Sequence, residues 1–497
     1  MILLVGVLRY GLHWSLEEVQ GFLHRTLDLP RLAFSTLAYL STEYLVRWSL
    51  FSEERLLDLA GGFGDWVLQV DGTVEDGGTT TLVAREGRRG VILLARPVVS
   101  ENKVDGFEFL SEVQARYGIP SQIVRDDGEA LKASASIVFP GVPQQLDPYH
   151  FLVNAAKVLM RPEYEGVRRA LIGDEGMARV VEWSRTLPCR AKGPGDMLRV
   201  VARLTVQGID DARGSSGGFP FHRAYQEVME RIEWTLACLE ASLHANARCL
   251  ALDLSVLGEL RRRLGQLVGR EAVRVAWERF VPGARAWEGV REALKTERDR
   301  RKGGMESVAF TARDVAEAKR KILEEVGPRM CAAGDHASAR WERFERMFHE
   351  QERHLWPEGV EERWTTVELE RCHHRGQSGI RGRTEQSSTG REMGRVGGML
   401  EEGLNLENGW FVVNGVMGRN LWQEFAGQDW PTVRERIAKV GKEGLRERVP
   451  VGWKRAGRSL ERVYEILGKG GTGLEKELER WVDQEGLLEV HAASAPA

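Results

Sequence analysis

Two short apolar runs in the first third of the chain end in the same way. Trp66-Val67-Leu68-Gln69-Val70-Asp71-Gly72 and Ile123-Val124-Arg125-Asp126-Asp127-Gly128 both pass through β-branched residues and stop on a carboxylate followed by glycine. Such a run reads as a buried strand delivering an acid to the edge of a sheet, with the glycine permitting a tight turn or a close backbone approach. If the sheet sets the two strand ends side by side, the carboxylates repel, and a divalent cation is the usual compensation. The pair therefore predicts a metal-dependent catalytic core and requires a third ligand elsewhere in the chain.

Composition narrows the setting. A chain of 497 residues has room for several domains with substantial cores. Its formal net charge is only -3, so affinity for nucleic acid must come from local basic faces. The five cysteines are scattered, with no CxxC pair, which argues for a reducing compartment and against a disulfide framework or zinc knuckle. No run of about 18 uncharged apolar residues occurs, and the apolar start Met1 to Leu8 lacks the basic flank of a signal peptide. The expectation is a cytoplasmic protein with no membrane partner.

Along the chain, residues 1–60 read as helical. Ser15-Leu16-Glu17-Glu18 forms a capping box, and after Leu29-Pro30 a second helix begins near Phe34. Its exposed side is expected to carry Ser35, Thr36, Ser41, Thr42 and Arg47, as in a helix-turn-helix DNA reader, with a plain helical hairpin as the alternative. Residues 61–160 read as α/β. Strands at Thr80 to Ala84 and Val91 to Val99 are expected to pair antiparallel with the Asp71 strand. A helix follows with Phe107, Leu110, Val113 and Tyr117 inward, then the Asp127 strand, a helix, the short strand Gln144 to Asp147, and a helix holding His150 and Lys157. Three strands, then helix and strand in alternation, is the element order of a ribonuclease-H-like fold. Residues 161–375 are almost wholly helical in pattern, with tryptophans on amphipathic faces, and read as an all-α domain inserted into the core. Residues 376–420 return to the core, and 421–497 form a helical tail.

Between 371 and 400 the character changes: Arg371, Arg375, Arg381, Arg383, Arg391 and Arg395 face only Glu385 and Glu392. Leu68-Gln69-Val70-Asp71-Gly72-Thr73 resembles the first catalytic strand of bacterial insertion-sequence transposases of the DDE class. The likeness continues through Gly118-Ile119-Pro120-Ser121-Gln122-Ile123-Val124-Arg125-Asp126-Asp127-Gly128 and Val138-Phe139-Pro140. It extends to Gln144-Gln145-Leu146-Asp147-Pro148-Tyr149-His150-Phe151, with Asn154 and Lys157 behind. In the related Mutator-like group a cysteine precedes the histidine by three residues; Asp147 holds that place here.

The resemblance implies a mixed five-stranded, RNase H-like catalytic core flanked by helices, interrupted by the all-α insertion, with helical N- and C-terminal parts. It implies a third acid at the start of a late helix, Glu385 in Arg383-Thr384-Glu385-Gln386 or Glu392 in Arg391-Glu392-Met393-Gly394-Arg395. Asp71, Asp127 and that glutamate would bind two Mg²⁺ or Mn²⁺ ions about 4 Å apart, with Asp126 the alternative to Asp127. Arg381, Arg383, Arg391 and Arg395 would hold DNA phosphates, with His150 and Lys157 near the cleaved strand. The implied activity is metal-dependent cleavage and strand transfer on double-stranded DNA, at transposon ends and target, by a homodimer or larger assembly at the bacterial nucleoid. A nuclease of the same fold without strand transfer, and a decayed or domesticated DNA-binding protein, are the alternatives.

Overall fold

The computed structural model describes residues 1–446 except 13, 75–79, 99–102, 174–175, 215–217, 247–253, 295–306, 361, 367–397 and 401. Residues Glu385 and Glu392 and the arginines Arg381, Arg383, Arg391 and Arg395 thus lie outside the described residues. The chain divides into two compact units, the first of Met1–Asp147, Arg300–Ala309 and Arg353–Ala497, the second of Pro148–Asp299 and Phe310–Glu352.

The first unit is built on a five-stranded mixed sheet in the order β3-β2-β1-β4-β5. Strand β1 is Val67–Val74, β2 Thr80–Glu86, β3 Val91–Val98, β4 Gln122–Arg125 and β5 Gln144–Leu146. β1, β2 and β3 form an antiparallel meander, while β4 lies parallel to β1 and β5 parallel to β4. The turns are set by glycine where φ is positive: Gly90 (73°) closes the β2–β3 hairpin and Gly118 (78°) ends the helix Lys103–Tyr117. These elements follow the order expected from the sequence.

One sheet face carries the main core. Leu68, Val70, Leu82, Ala84, Leu93 and Ile123 pack there with Phe109, Leu110 and Val113 of the helix Lys103–Tyr117 and with Leu131 and Ala135 of the helix Glu129–Val138. The same core includes Tyr44, Trp48 and Phe51 of the helix Phe34–Ala60, and Phe411, Phe425 and Val433 from the C-terminal part. On the outer edge of β3, one turn after another of the 398–408 segment occupies free backbone groups. Asn405 accepts from Ile92 N at 2.8 Å and donates to Ile92 O at 2.9 Å, and Asn408 donates to Arg89 O at 2.8 Å. Edge strands present unpaired backbone that must be paired or covered, and here side-chain amides cover it.

The capping box at Ser15 is present, and the second helix starts at Phe34 as its pattern predicts. Its expected exposed side is corrected. Ser35 and Thr36 are exposed, but Ser41, Thr42 and Arg47 are buried. Arg47 pairs with Glu43 at 2.8 Å, donates to Phe425 O at 2.5 Å and lies over the Trp430 ring. This middle part of the helix is core, because segments from the far end of the chain pack on it.

The second unit is helical, and it begins at Pro148, before the expected 161. The helix Pro148–Leu159 belongs to it because Trp287 Nε1 donates to Leu152 O at 2.8 Å and the Phe151 ring meets those of Phe344 and Phe348. Trp287 and Trp341 are buried as expected of core tryptophans, whereas Trp234 is 72% exposed.

Two predictions follow from these contacts. Arg47→Ala leaves the nearly buried Glu43 carboxylate without its cation, and should cost about 3 kcal/mol in denaturant unfolding. A variant as stable as the parent would contradict this burial. Glu402 accepts from Ser49 Oγ at 2.5 Å, and burial pushes its carboxyl up to about 7. A raised folded value means the folded state holds the proton where the unfolded state has lost it. Stability should therefore fall as pH rises from about 4.5 to about 7 and level off above. Glu402→Gln should flatten that fall in thermal melts; an unchanged profile would assign the pH dependence to other groups.

Candidate functional site

The parallel pairing of β1 with β4 decides where the sequence-predicted acids go. Val70 pairs with Arg125, and Arg125 with Leu146, in one transverse row. The next residue of each strand is an aspartate: Asp71, Asp126 and Asp147. Asp147 N donates to Arg125 O at 2.8 Å, which continues the β4–β5 ladder past its last paired row. On the other side Asp71 pairs with Val83, and Val83 with Ala95. The row therefore reads Ala95, Val83, Asp71, Asp126, Asp147 from edge to edge. Asp126 and Asp147 follow the ends of β4 and β5, but the expectation that the first strand stops at Asp71 is corrected: β1 continues to Val74, because Gly72, Thr73 and Val74 go on pairing with β2. Neighbouring strands lie about 4.8 Å apart, so the row brings Asp71 and the Asp126-Asp127 turn together.

Local chemistry fixes each acid differently. Asp71 is 4% exposed, and its Oδ1 accepts from Gly72 N at 2.9 Å. Asp126 turns Oδ1 back onto Gly128 N at 2.9 Å, which holds the turn into the helix Glu129–Val138. Arg125, buried, spans the turn by donating to Asp126 O at 2.6 Å and Gln144 Oε1 at 2.9 Å. Burial raises the Asp127 carboxyl above its ordinary value; the Arg125 and Lys132 charges oppose this, and Asp126 and Glu129 add to it. A desolvated carboxylate beside further carboxylates is a position at which a cation lowers the energy. Among the described residues, no three His, Cys, Asp or Glu side chains are grouped closely enough to hold a metal ion. Glu385 and Glu392, the two glutamates expected from the sequence as a third ligand, lie outside those residues.

Sequence reasoning missed the polar layer beneath these acids. Gln69, Gln122 and Gln145 stand on one sheet face and are buried. A short strand β7 (Glu362–Trp364), paired antiparallel with β6 (Ser307–Ala309), lies along that face with Thr365 and Thr366 after it. Gln145 treats Trp364 as a neighbouring strand would, accepting from its N–H at 3.0 Å and donating to its carbonyl at 2.7 Å. Gln69 donates to Thr365 O at 3.0 Å and accepts from Arg85 at 2.6 Å. Thr365 and Thr366 donate their hydroxyls to the two carboxylate oxygens of Asp147, at 3.0 Å and 2.5 Å, and Asp147 is fully buried. The signal available in the sequence was glutamine at strand positions that should be apolar, since a buried amide needs partners.

His150 and Lys157 fall in the second unit, on the helix Pro148–Leu159. His150 is half-buried with its ring edge-on to Tyr149, which stacks on Phe221 with centroids 4.3 Å apart. Lys157 is exposed and donates to Asn154 Oδ1 at 2.9 Å. No helix among the described residues is long and apolar enough to cross a membrane. Neither a protein-family model, nor a curated protein, nor a solved structure matches the chain.

The raised Asp127 value carries a prediction with a definite sign. At neutral pH the ionised carboxylate is held where burial disfavours it, so it subtracts from stability. Asp127→Asn should raise the melting temperature near pH 7, and the gain should vanish as pH falls below about 3.8, where the unfolded chain is protonated too. A lower melting temperature near pH 7 would show that the carboxylate serves the fold, not the site.

Proposed function

We propose that this chain is a DDE-class transposase whose catalytic core is RNase H-like and whose chemistry takes place at Asp71 and Asp127. The observation that carries the reading is the parallel β1–β4 pairing, which sets Asp71 of β1 beside Asp126, the residue that follows β4 and precedes Asp127. Further support comes from the order of elements, three antiparallel strands followed by two parallel additions, each preceded by a helix. The all-α unit interrupts this core between Asp147 and the late acids, as the family resemblance requires.

Asp71, buried, and Asp127, half-buried, fit a divalent cation by donor type, on neighbouring strands β1 and β4, and either Glu385 or Glu392 would complete the set. Mg²⁺ or Mn²⁺ bound there would supply charge neutralisation and Lewis acidity for in-line attack on a phosphodiester. The protein's own part is to hold the two aspartate-bearing segments in adjacent strands, at the expense of a carboxyl at Asp127 that burial makes harder to ionise. Asp126, with one oxygen committed to Gly128 N, holds the turn from which Asp127 projects. Arg381, Arg383, Arg391 and Arg395 supply phosphate contacts that position DNA without reading its sequence.

With DNA carrying the ends of the element that encodes this chain, purified protein should cut strands only when Mg²⁺ or Mn²⁺ is added. Asp71→Asn should reduce cutting by at least about a thousandfold while leaving DNA affinity within a few-fold. Cutting that survives in Asp71→Asn would refute the assignment. Cutting without joining to a second duplex would favour a nuclease of the same fold.

A further inference from the structure

Trp234 is the most exposed of the described tryptophans, at 72%, and stands on the helix Ala224–Asn246 of the helical unit. That helix turns Val228, Met229, Ile232 and Leu239 inward, where they are buried. On its opposite side Trp234 is followed by Ala237, Cys238 and Ala241, all exposed, at the spacing that places them in one stripe. Alongside, the helix Pro194–Asp211 exposes Met197, Val201 and Leu204 at the same spacing. The two helices are tied where Arg231 donates to the Gly208 carbonyl, one turn from Trp234 on one helix and one turn from Leu204 on the other.

Contiguous exposed apolar surface of this extent marks an interaction site, and the shape of the stripe says what fits it. A large ring beside small side chains on one helix is both knob and hole. A second copy of the helix, laid antiparallel about a two-fold axis between residues 237 and 238, places each Trp234 over the other copy's Ala241 and brings the two Cys238 thiols to the axis. Charge favours the same arrangement. The amino-terminal half of the helix exposes Glu230 and Glu233, and the carboxyl-terminal half exposes His244. Antiparallel pairing sets Glu230 against the other copy's His244 and lays the helix dipoles head to tail; parallel pairing would set Glu230 on Glu230 and Trp234 on Trp234. Two copies of the combined patch would bury on the order of 1,000 Å², the size a specific interface needs.

We propose that this face of the helical unit binds a second copy of the same chain, through an isologous, antiparallel contact of the helix Ala224–Asn246 flanked by the helix Pro194–Asp211. The small residues at 237, 238 and 241 let the two helix axes approach closely, and Trp234 is the anchor on each side. The proposal stands on the helical unit alone and is independent of the reading of Asp71 and Asp127.

The test uses the full chain. Sedimentation equilibrium should show a reversible dimer, and Trp234→Ala should weaken it by roughly thirtyfold or more, as truncation of a central aromatic anchor does. Ala241→Arg keeps Trp234 but fills the opposing hole with a charged side chain, and should weaken the dimer as much. Both positions are exposed, so both variants should melt where the parent does. A short bifunctional maleimide should join two chains through the exposed Cys238, and Cys238→Ser should remove most of that product. A chain that stays monomeric at every concentration, a dimer that neither Trp234→Ala nor Ala241→Arg weakens, or a cross-link undiminished in Cys238→Ser overturns the proposal. If Trp234→Ala leaves association as in the parent and lowers affinity for duplex DNA instead, the ring serves a nucleic-acid contact and the proposal is likewise overturned.

Discussion

Parallel pairing of β1 with β4 is the constraint on which the rest depends. Every register in the row is set by it: once Val70 lies beside Arg125, Asp71 lies beside Asp126. A slip of one residue would turn every side chain of β4 to the opposite face, moving Ile123 out of the core and Asp126 away from Asp71. The apolar cluster of Leu68, Val70, Ile123, Phe109 and Leu131 makes that slip costly. Placement of the acids is therefore a by-product of core packing on the other face, and the carboxylates themselves oppose it.

The second sheet face uses a different chemistry. Instead of helices over an apolar surface, three glutamines and an aspartate bind the backbone and hydroxyls of residues 362–366, and Arg85 braces the Gln69 amide. Polar groups that are satisfied inside a protein specify one arrangement, because any other leaves donors or acceptors without partners. Hydrophobic burial on one face supplies adhesion, and hydrogen bonding on the other supplies register for a segment arriving from far along the chain. At the β3 edge Asn405 and Asn408 use the same device, with side-chain amides in place of a sixth strand.

What the sequence made legible were features with local causes. Strand runs, the hairpin glycine at 90, the helix stop at Gly118 and the capping box at Ser15 depend on residues a few positions apart, and each stands where its pattern puts it. The strands that carry Asp71 and precede Asp127 were legible because runs of β-branched residues are a local signature, although β1 runs past Asp71 to Val74, where its partner β2 keeps it paired. What failed had distant causes. Arg47 resembled a surface arginine because Phe425 and Trp430, its partners, lie nearly four hundred residues away. The boundary at Pro148 was missed because the helix Pro148–Leu159 shows the same periodicity whichever neighbour it packs on, and Trp287, Phe344 and Phe348 are remote. Asp147 was read only as a substitute for a family cysteine, since nothing near it in sequence announces Thr365 and Thr366.

The central claim is that a cation belongs between Asp71 of β1 and the turn that follows β4. Its most direct test is a crystal structure of the full chain grown with Mn²⁺ and measured for anomalous scattering. The account predicts a peak within bonding distance of Asp71 and Asp127 oxygens, with a glutamate from 367–397 as a further ligand. Aspartates in the described arrangement with no peak between them, or Mn²⁺ bound only elsewhere on the chain, would contradict it.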